Sequence, residues 1–174
     1  MLDTLKSTAE IARSESSKIK MLVFAIGKLT LGLPVERVIK VTKYTPLHGS
    51  GMTHVNLTHI GKQEVTVVDL HQKLFKVSLD ELSPDGGYFI LSKAQSPLVN
   101  SDRNPNNLNL GEENIGIRVL EAPSLIDIAL SDIRILPNSY RYADTLEIAS
   151  HVAVVDRQDS PNETIFILDL KCLI

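Results

Sequence analysis

Cysteine, tryptophan and long apolar runs are what this 174-residue sequence has least of. Its one cysteine, Cys172, has no internal disulfide partner, so a reducing compartment, the cytoplasm by default, is expected. Every apolar run is far shorter than the roughly 20 residues of a membrane-spanning helix, so no direct membrane insertion is expected. The N-terminal residues are rich in Lys, Ser, Thr and Glu and contain no secretory core.

Charge and aromatic content also argue against nucleic-acid binding. The net charge is −3, aromatics make up 5% and tryptophan is absent, so neither a bulk electrostatic grip on nucleic acid nor a stacking platform is expected. Residues 1–87 carry 11 basic and 9 acidic groups, whereas residues 88–174 carry 7 and 12. A solvated surface explains this asymmetry, and so does a molecule with opposite poles for oriented docking on protein partners.

Most of the chain consists of short, β-branched apolar runs separated by turn residues. Gly27-Lys28 and residues 61–64 are predicted turns. Strands are predicted over residues 20–26, 29–33, 52–60, 65–68, 88–91, 115–120, 126–130, 146–155 and 164–168. With only two short helices expected, this spacing predicts an all-β domain of barrels or sandwiches and disfavours a doubly wound nucleotide-binding fold.

The predicted domain occupies residues 19–174. Residues 1–18 form a polar leader with one short amphipathic pattern, expected to be mobile or ordered by a partner. Residues 95–114 are rich in Asn, Pro and Asp and are predicted to form a long mobile loop.

The chain repeats itself weakly. Gly32-Leu33-Pro34-Val35 is echoed by Gly116-Ile117-Arg118-Val119, 84 residues later, and residues 66–70 are echoed by 165–170, with an offset of 100. Two related β-subdomains would explain both echoes, and chance similarity between buried strands is the alternative. In the second echo, Asp69 and Asp169 each follow an apolar strand and precede an apolar turn, which predicts two helix N-caps.

Sequence signatures of catalysis are absent. There is no phosphate-binding loop, dinucleotide-binding glycine motif, nucleophile elbow or His-Glu-x-x-His pattern. His54 and His59 are five apart and would point to opposite faces of one strand, so no metal site is expected. Cys172 lies in an apolar turn and is interpreted as a small core residue. No catalytic residue and no cofactor are therefore predicted, and a binding or scaffolding role is favoured over an enzyme.

Four segments together resemble CheW-like coupling domains. Residues 24–27 and 32–41 resemble the opening Phe-x-x-Gly and (Ala/Gly)-(Leu/Ile)-x-Val-x-x-Val pattern of that family. Residues 65–70, Val-Thr-Val-Val-Asp-Leu, resemble its Val-Pro-(Val/Ile)-Val-Asp-Leu, and residues 116–119 with 126–137 resemble its second-half pattern. Residues 165–170 resemble its closing strand and final helix, so the resemblance runs from about residue 19 onward.

The resemblance implies both a fold and a function. The implied fold is all-β, with two intertwined small five-stranded barrels and short helices. The implied function is that of a non-enzymatic adaptor in chemotaxis or phototaxis, joining a methyl-accepting chemoreceptor or photoreceptor to a CheA-type histidine kinase of a two-component system. The chain would then be a stand-alone cytoplasmic adaptor recruited to membrane-bound receptor arrays.

The same resemblance implies where partners bind. Val38 and Lys40 fall where the family carries a Val and an acid implicated in partner contact, and residues 59–62 fall on its Asn-Leu-Arg-Gly. The candidate partner-binding residues are Val38, Ile39, Lys40, His59, Ile60, Gly61 and Lys62.

Several of these positions depart from the family pattern. Lys40 replaces the acid and Gly61 replaces the arginine, while the second-half acid falls on Leu120. The His-Ile-Gly turn followed by Thr-Val-Val-Asp-Leu-His resembles the variants of cyanobacterial phototaxis clusters. Because the lysines are basic, an acidic partner patch is the expected complement.

A function of another class stays open at this point. The chain could be a small-molecule-binding β-barrel or an uncharacterised hydrolase. That interpretation requires Asp69, Asp169 and His71 to converge on one pocket.

Overall fold

A computed structural model describes residues 17–45, 54–94, 113–142, 146–157 and 160–174. Over these ranges the chain forms strands joined by short turns and helices. The strands are β1 (Lys18–Ile26), β2 (Leu29–Pro34), β3 (Val38–Lys43), β4 (Val55–Ile60), β5 (Gln63–Val68), β6 (Tyr88–Ala94), β7 (Glu113–Val119), β8 (Ser124–Ala129), β9 (Ile133–Ile135), β10 (Ala149–Arg157) and β11 (Ser160–Leu168). The α-helices are α1 (Leu70–Phe75), α2 (Leu79–Leu82) and α3 (Asn138–Arg141), and 3₁₀ turns lie at Val35–Arg37, Leu130–Asp132, Leu146–Ile148 and Leu170–Cys172.

The strands form two sheets, and the chain crosses between them. Sheet A has the order β8-β1-β2-β11-β10-β9, and sheet B has the order β3-β6-β7-β5-β4. Each sheet therefore contains strands from both halves of the sequence. This arrangement confirms the predicted all-β class of two intertwined, barrel-like units, with the three-residue β9 as a sixth strand in sheet A.

The strands have buried side chains on both of their faces, and these side chains form three hydrophobic cores. Met21 and Val23 of β1 point to one side, and Leu22 and Phe24 point to the other, so β1 reads as an almost continuous apolar run. The central core, between the sheets, contains Leu22, Phe24, Leu31, Leu33, Val68, Ile90, Ile115, Ile117 and Val119. The A core contains Met21, Val23, Ile128, Ala153, Ile165 and Ile167, and the B core contains Tyr44, Val65, Val67, Phe89 and Leu91.

Strand pairing confirms the weak sequence repeat. In sheet A, Gly32 of β2 pairs in parallel with Ile167 of β11, and in sheet B, Gly116 of β7 pairs in parallel with Val67 of β5. Gly32 and Gly116 are 84 residues apart and Val67 and Ile167 are 100 apart, which are the two offsets of the sequence repeat. The closing strand of each half thus pairs with the second strand of the other half, which is how the two repeats interlock.

Gly32 and Gly116 lie so close to core side chains that a Cβ at either position would crowd them. A Cβ added to Gly32 would lie 2.9 Å from Ile165 Cγ2 and 3.1 Å from Met21 Cε. A Cβ added to Gly116 would lie 3.1 Å from Val65 Cγ1. Both positions face a core, and a larger side chain there would have to displace its neighbours.

Both predicted aspartate caps are confirmed, and Asp69 does more than predicted. Asp69 Oδ1 accepts from the Gln72 backbone N–H at 2.9 Å, and Oδ2 accepts from Ser78 Oγ at 3.1 Å and from the Leu79 N–H at 2.8 Å. One buried carboxylate therefore ties together the starts of α1 and α2. Asp169 Oδ1 accepts from the Lys171 N–H at 3.1 Å.

Several predicted boundaries are corrected. Of the predicted 61–64 turn only Gly61 and Lys62 are turn residues, because 63 and 64 already pair with β4. The predicted connection at residues 79–87 begins with α2, which Ser78 caps. The 146–155 strand starts with a 3₁₀ turn, and β11 starts at Ser160.

Two predicted segments fall largely outside the described residues. These are residues 1–16 of the leader and 95–112 of the loop. Lys18 already belongs to β1, and residues 113 and 114 already belong to β7.

Candidate partner-binding surface

The first candidate segment is the start of β3, an edge strand. In the part of the chain that the structure describes, β3 pairs only with β6. Val38 is half-buried and packs against the central core, whereas Ile39 is 40% exposed and Lys40 is exposed. The outer edge of β3 thus presents backbone groups beside apolar and basic side chains, a combination suited to contact with another protein.

A bulge determines which of these side chains faces outward. Val38 pairs with Ser92 and Lys40 pairs with Leu91, so Ile39 is an extra residue without a position opposite it. A bulge of this kind locally redirects the strand and its side chains. It explains why an isoleucine in an apolar stretch is exposed.

The second candidate segment is the hairpin between β4 and β5. Ile60 pairs with Gln63, so Gly61 and Lys62 form a two-residue turn. Gly61 has a φ of 68°, a left-handed conformation that favours glycine and that two-residue hairpins require. Ile60 packs against the B core, while His59, Gly61 and Lys62 are exposed.

The two segments lie on opposite edge strands of sheet B. Its order places β3 and β4 at the two ends, with no ladder pairing between them in the described ranges. One row across the sheet nevertheless runs from Val38 through Ser92, Ile115 and Thr66 to Leu57. The seven predicted residues therefore share a sheet but are divided between two edge surfaces.

Exposed apolar residues that the sequence interpretation missed enlarge both surfaces. Val41 of β3 is 39% exposed and Leu57 of β4 is 60% exposed. Both lie in strands whose apolar pattern had suggested burial, and their position at a sheet edge is what exposes them. Because Val38 and Ile60 pack against cores, the exposed apolar area at these edges comes from Ile39, Val41 and Leu57.

A buried arginine behind β3 was also missed. Arg118 of β7 is 3% exposed; its guanidinium pairs with the Asp80 carboxylate and donates to Ser83 O at 2.6 Å. It also stacks 3.6 Å from the centroid of the Tyr44 ring, and the Tyr44 hydroxyl donates to Asp80. Arg118 therefore fixes both α2 and the residue that follows β3. The signal in the sequence was a charged residue within the apolar run 115–119.

Asp69, one of the three residues that a hydrolase would need, is engaged in capping two helices. Both carboxylate oxygens of Asp69 accept hydrogen bonds at helix starts, and no group of three or more His, Cys, Asp or Glu in these ranges is placed to hold a metal ion. The pKa of the Cys172 thiol is raised, mainly because the thiol is partly buried and also because the Asp169 carboxylate is near. The pKa of His54 is lowered, mainly because the ring is partly buried and also because Lys73 and Lys76 are near.

The described helices are all too short to cross a membrane, and none is apolar enough over a sufficient length.

The two interlocked, barrel-like sheets give the chain a CheW-like fold, as a comparison with solved structures shows. The chain matches the crystal structure of the scaffolding protein TtCheW from Thermoanaerobacter tengcongensis with a TM-score of 0.63 and 17% identity, over 87% of this chain and 84% of that chain. The sequence matches no family profile and no curated protein. The likeness shows the fold.

Proposed function

We propose that this chain is a non-enzymatic adaptor of a chemosensory array. It binds a CheA-type histidine kinase and a methyl-accepting chemoreceptor or photoreceptor and couples one to the other. The observation that carries the proposal is the interlocked two-barrel fold, which the chain shares over most of its length with a protein described as a scaffolding protein. The sequence resemblance to CheW-like domains, drawn from separate residues, supports the same role.

The mechanism of such an adaptor is thermodynamic linkage. An adaptor couples receptor state to kinase activity only if its contacts differ in free energy between the kinase-on and kinase-off states. The paired strands of sheet B suit this task, because they hold a partner at the β3 edge and a partner at the β4–β5 hairpin in a fixed relation.

The partner surface in this proposal is the edge of sheet B. Ile39 and Val41 supply exposed apolar area on β3, and Lys40 with Lys43 supplies positive charge beside it. At the other edge the β4–β5 hairpin presents His59 and residues 60–62. The expected complement is an acidic patch with a small apolar centre. The His-Ile-Gly turn followed by Thr-Val-Val-Asp-Leu-His, which resembles the phototaxis variants, favours a phototaxis-type array, with the adaptor in the cytoplasm and recruited to membrane-bound receptors.

The test is a charge reversal at Lys40. Lys40→Glu should weaken association with the cognate kinase or receptor at low salt, mainly through a slower association rate, and the difference from the parent should shrink at high salt. Association rates are measured by surface plasmon resonance with purified kinase and receptor signalling domains. Melting temperatures, which this exposed substitution should leave nearly unchanged, are recorded in parallel.

Lys28→Glu is the matched control, since Lys28 is an exposed lysine in the β1–β2 turn. Equal rates for the parent and both variants would remove the β3 edge from the proposed surface. Absence of binding by the parent chain to any CheA-type kinase or receptor from its own genome would overturn the adaptor function itself.

A further inference from the structure

In the described ranges the two sheets end in the edge strands β3, β4, β8 and β9, and β4 differs from the other three. β3 has a bulge at Ile39 and carries Lys40 and Lys43, β8 carries the exposed Asp127, and β9 is only three residues long. Bulges, edge charges and short strands are features by which proteins keep a sheet edge from pairing with another chain. β4 has six residues, none of them Asp, Glu, Lys or Arg, and its register with β5 runs without a shift. Its edge is therefore open to pairing with a further strand.

The backbone of β4 directs hydrogen-bonding groups away from the sheet at Leu57. Ile60 and Gln63 flank a two-residue turn and form a hydrogen-bonded pair, so Thr58, two residues back, also directs its N–H and C=O toward β5. Leu57, the next residue back, directs its N–H and C=O to the other side. Sheet B ends at β4 in the described ranges, so no strand there pairs with this outward donor and acceptor.

The β4 edge is complementary to a second copy of itself. The Leu57 side chain lies in the middle of the strand and is 60% exposed. When two β4 strands pair antiparallel about a two-fold axis at residue 57, each Leu57 lies opposite the other, and residue 56 lies opposite residue 58. The outward N–H and C=O of one Leu57 then meet those of the other, the two leucine side chains cover each other, and no like charges face each other. Such self-complementarity is what a two-fold dimer requires.

We propose that two copies of this chain form a two-fold dimer through antiparallel pairing of their β4 strands. The two five-stranded B sheets then form one continuous sheet with a β3 strand at each end. The same pairing is disfavoured at β3, because an antiparallel register about residues 41 and 42 places Lys40 opposite Lys43. The dimer holds two β3 edges in a fixed relation, and the Gly61-Lys62 turn lies beyond the paired residues. The proposal goes beyond the adaptor function and does not depend on it.

The experiment is sedimentation equilibrium of the full chain at micromolar to millimolar concentrations. We expect the average mass to rise from 19.2 kDa toward twice that value as the concentration increases. One short strand pair is a small interface, so we expect a weak dimer with a dissociation constant of about 10–100 µM. Leu57→Lys should raise this constant about tenfold or more, because the leucine contact is lost and two like charges meet at the axis.

Leu125→Lys is the matched control. Leu125 is also 60% exposed and also lies on an edge strand, β8 at the end of sheet A. This variant should dimerise as the parent does. Melting temperatures of both variants, recorded at low concentration, should stay close to that of the parent, because both side chains are exposed.

Hydrogen exchange of the Leu57 amide, followed by NMR in the parent chain, tests the backbone pairing itself and depends on no variant. At low concentration this outward N–H should exchange fast, whereas in the dimer it donates to the carbonyl of the other Leu57 and should exchange slowly. The Thr58 amide, which is directed toward β5, should exchange slowly at both concentrations and serves as the internal reference.

A mass of 19.2 kDa at every concentration overturns the proposal and leaves β4 to a strand of a different protein. The proposal is equally wrong if Leu57→Lys dimerises as the parent does or if Leu125→Lys weakens the dimer as much as Leu57→Lys. It is also wrong if the Leu57 amide still exchanges fast at concentrations where the dimer forms.

Discussion

Two aspartates in corresponding places of the repeat have different structural tasks. Both were predicted as helix caps from the apolar strand before them and the apolar turn after them. The backbone N–H of Asp69 donates to His54 O and that of Asp169 donates to Ile148 O, so the backbone context is the same. Their side chains differ: Asp69 is buried and joins two helices, whereas Asp169 caps one 3₁₀ turn.

Asp69→Ala should therefore cost more stability than Asp169→Ala. We expect a loss of about 2–3 kcal/mol in the free energy of unfolding for Asp69→Ala, because three donors lose their acceptor in a buried place. For Asp169→Ala we expect about 0.5–1 kcal/mol, from one lost cap. Urea denaturation measures both. Asp69→Asn, which keeps one acceptor oxygen, should lose less than Asp69→Ala, and equal losses for the two alanine variants would contradict this account.

At the scale of single elements, the edge strands and the turns determine which side chains are exposed and available to a partner. β3 and β4 carry apolar residues of the kind that normally point inward, yet the bulge at Ile39 and the edge position of Leu57 expose them. Turns are equally specific. Gly61 and Gly87 both have positive φ, 68° and 106°, but only Gly87 is also confined by a neighbouring strand.

Substitution of these two glycines should separate backbone strain from collision. In Gly87→Ala the new Cβ would lie 2.2 Å from the backbone oxygen of Val119, so we expect a loss above about 3 kcal/mol or failure to fold. In Gly61→Ala nothing lies within 4 Å of the new Cβ, and only the cost of a left-handed backbone, about 1–2 kcal/mol, is expected. Thermal or urea unfolding of the two variants measures the difference. A larger loss for Gly61→Ala than for Gly87→Ala would show that strain in the hairpin, and not collision, dominates.

At the scale of the molecule, interlocking makes the two halves one unit. β5 pairs with β7 and β11 pairs with β2, so removing either half of the sequence would break both sheets. The central core then joins sheet A to sheet B over residues from both halves. Neither barrel-like unit can unfold without exposing this core.

We therefore expect the described domain to unfold in one cooperative transition. Val23→Ala in the A core and Val65→Ala in the B core should each lower the melting temperature of that same transition, because a buried valine is shortened in either case. Differential scanning calorimetry should give a calorimetric enthalpy equal to the van't Hoff enthalpy for the parent and both variants. Two resolved transitions in either variant would mean that the barrel-like units unfold separately.

Local patterns in the sequence were enough to predict the elements of this fold. The relevant patterns involve residues only a few positions apart: alternating apolar residues, glycines in turns, and an Asp at the start of a helical turn. This is why β1, β2, the Gly27-Lys28 turn and both caps were predicted. The repeat was also visible, since Gly32 and Gly116 must both stay small against a barrel interior. Family resemblance added the pairing of these elements into two interlocked barrels.

The tertiary structure decided everything that depends on residues far apart in the sequence. Strand order and parallel pairing join β2 to β11 and β5 to β7, and no local pattern encodes such partners. The same holds for Arg118, which is buried only because Tyr44, Asp80 and Ser83 come to it from other elements. Ile39 and Leu57 are apolar like their buried neighbours, and they are exposed because of the bulge at Ile39 and the edge position of Leu57. The sequence by itself determined which residues are apolar and therefore favour burial. The tertiary structure determined which of these apolar residues are covered, because residues at a sheet edge have no neighbouring strand to cover them.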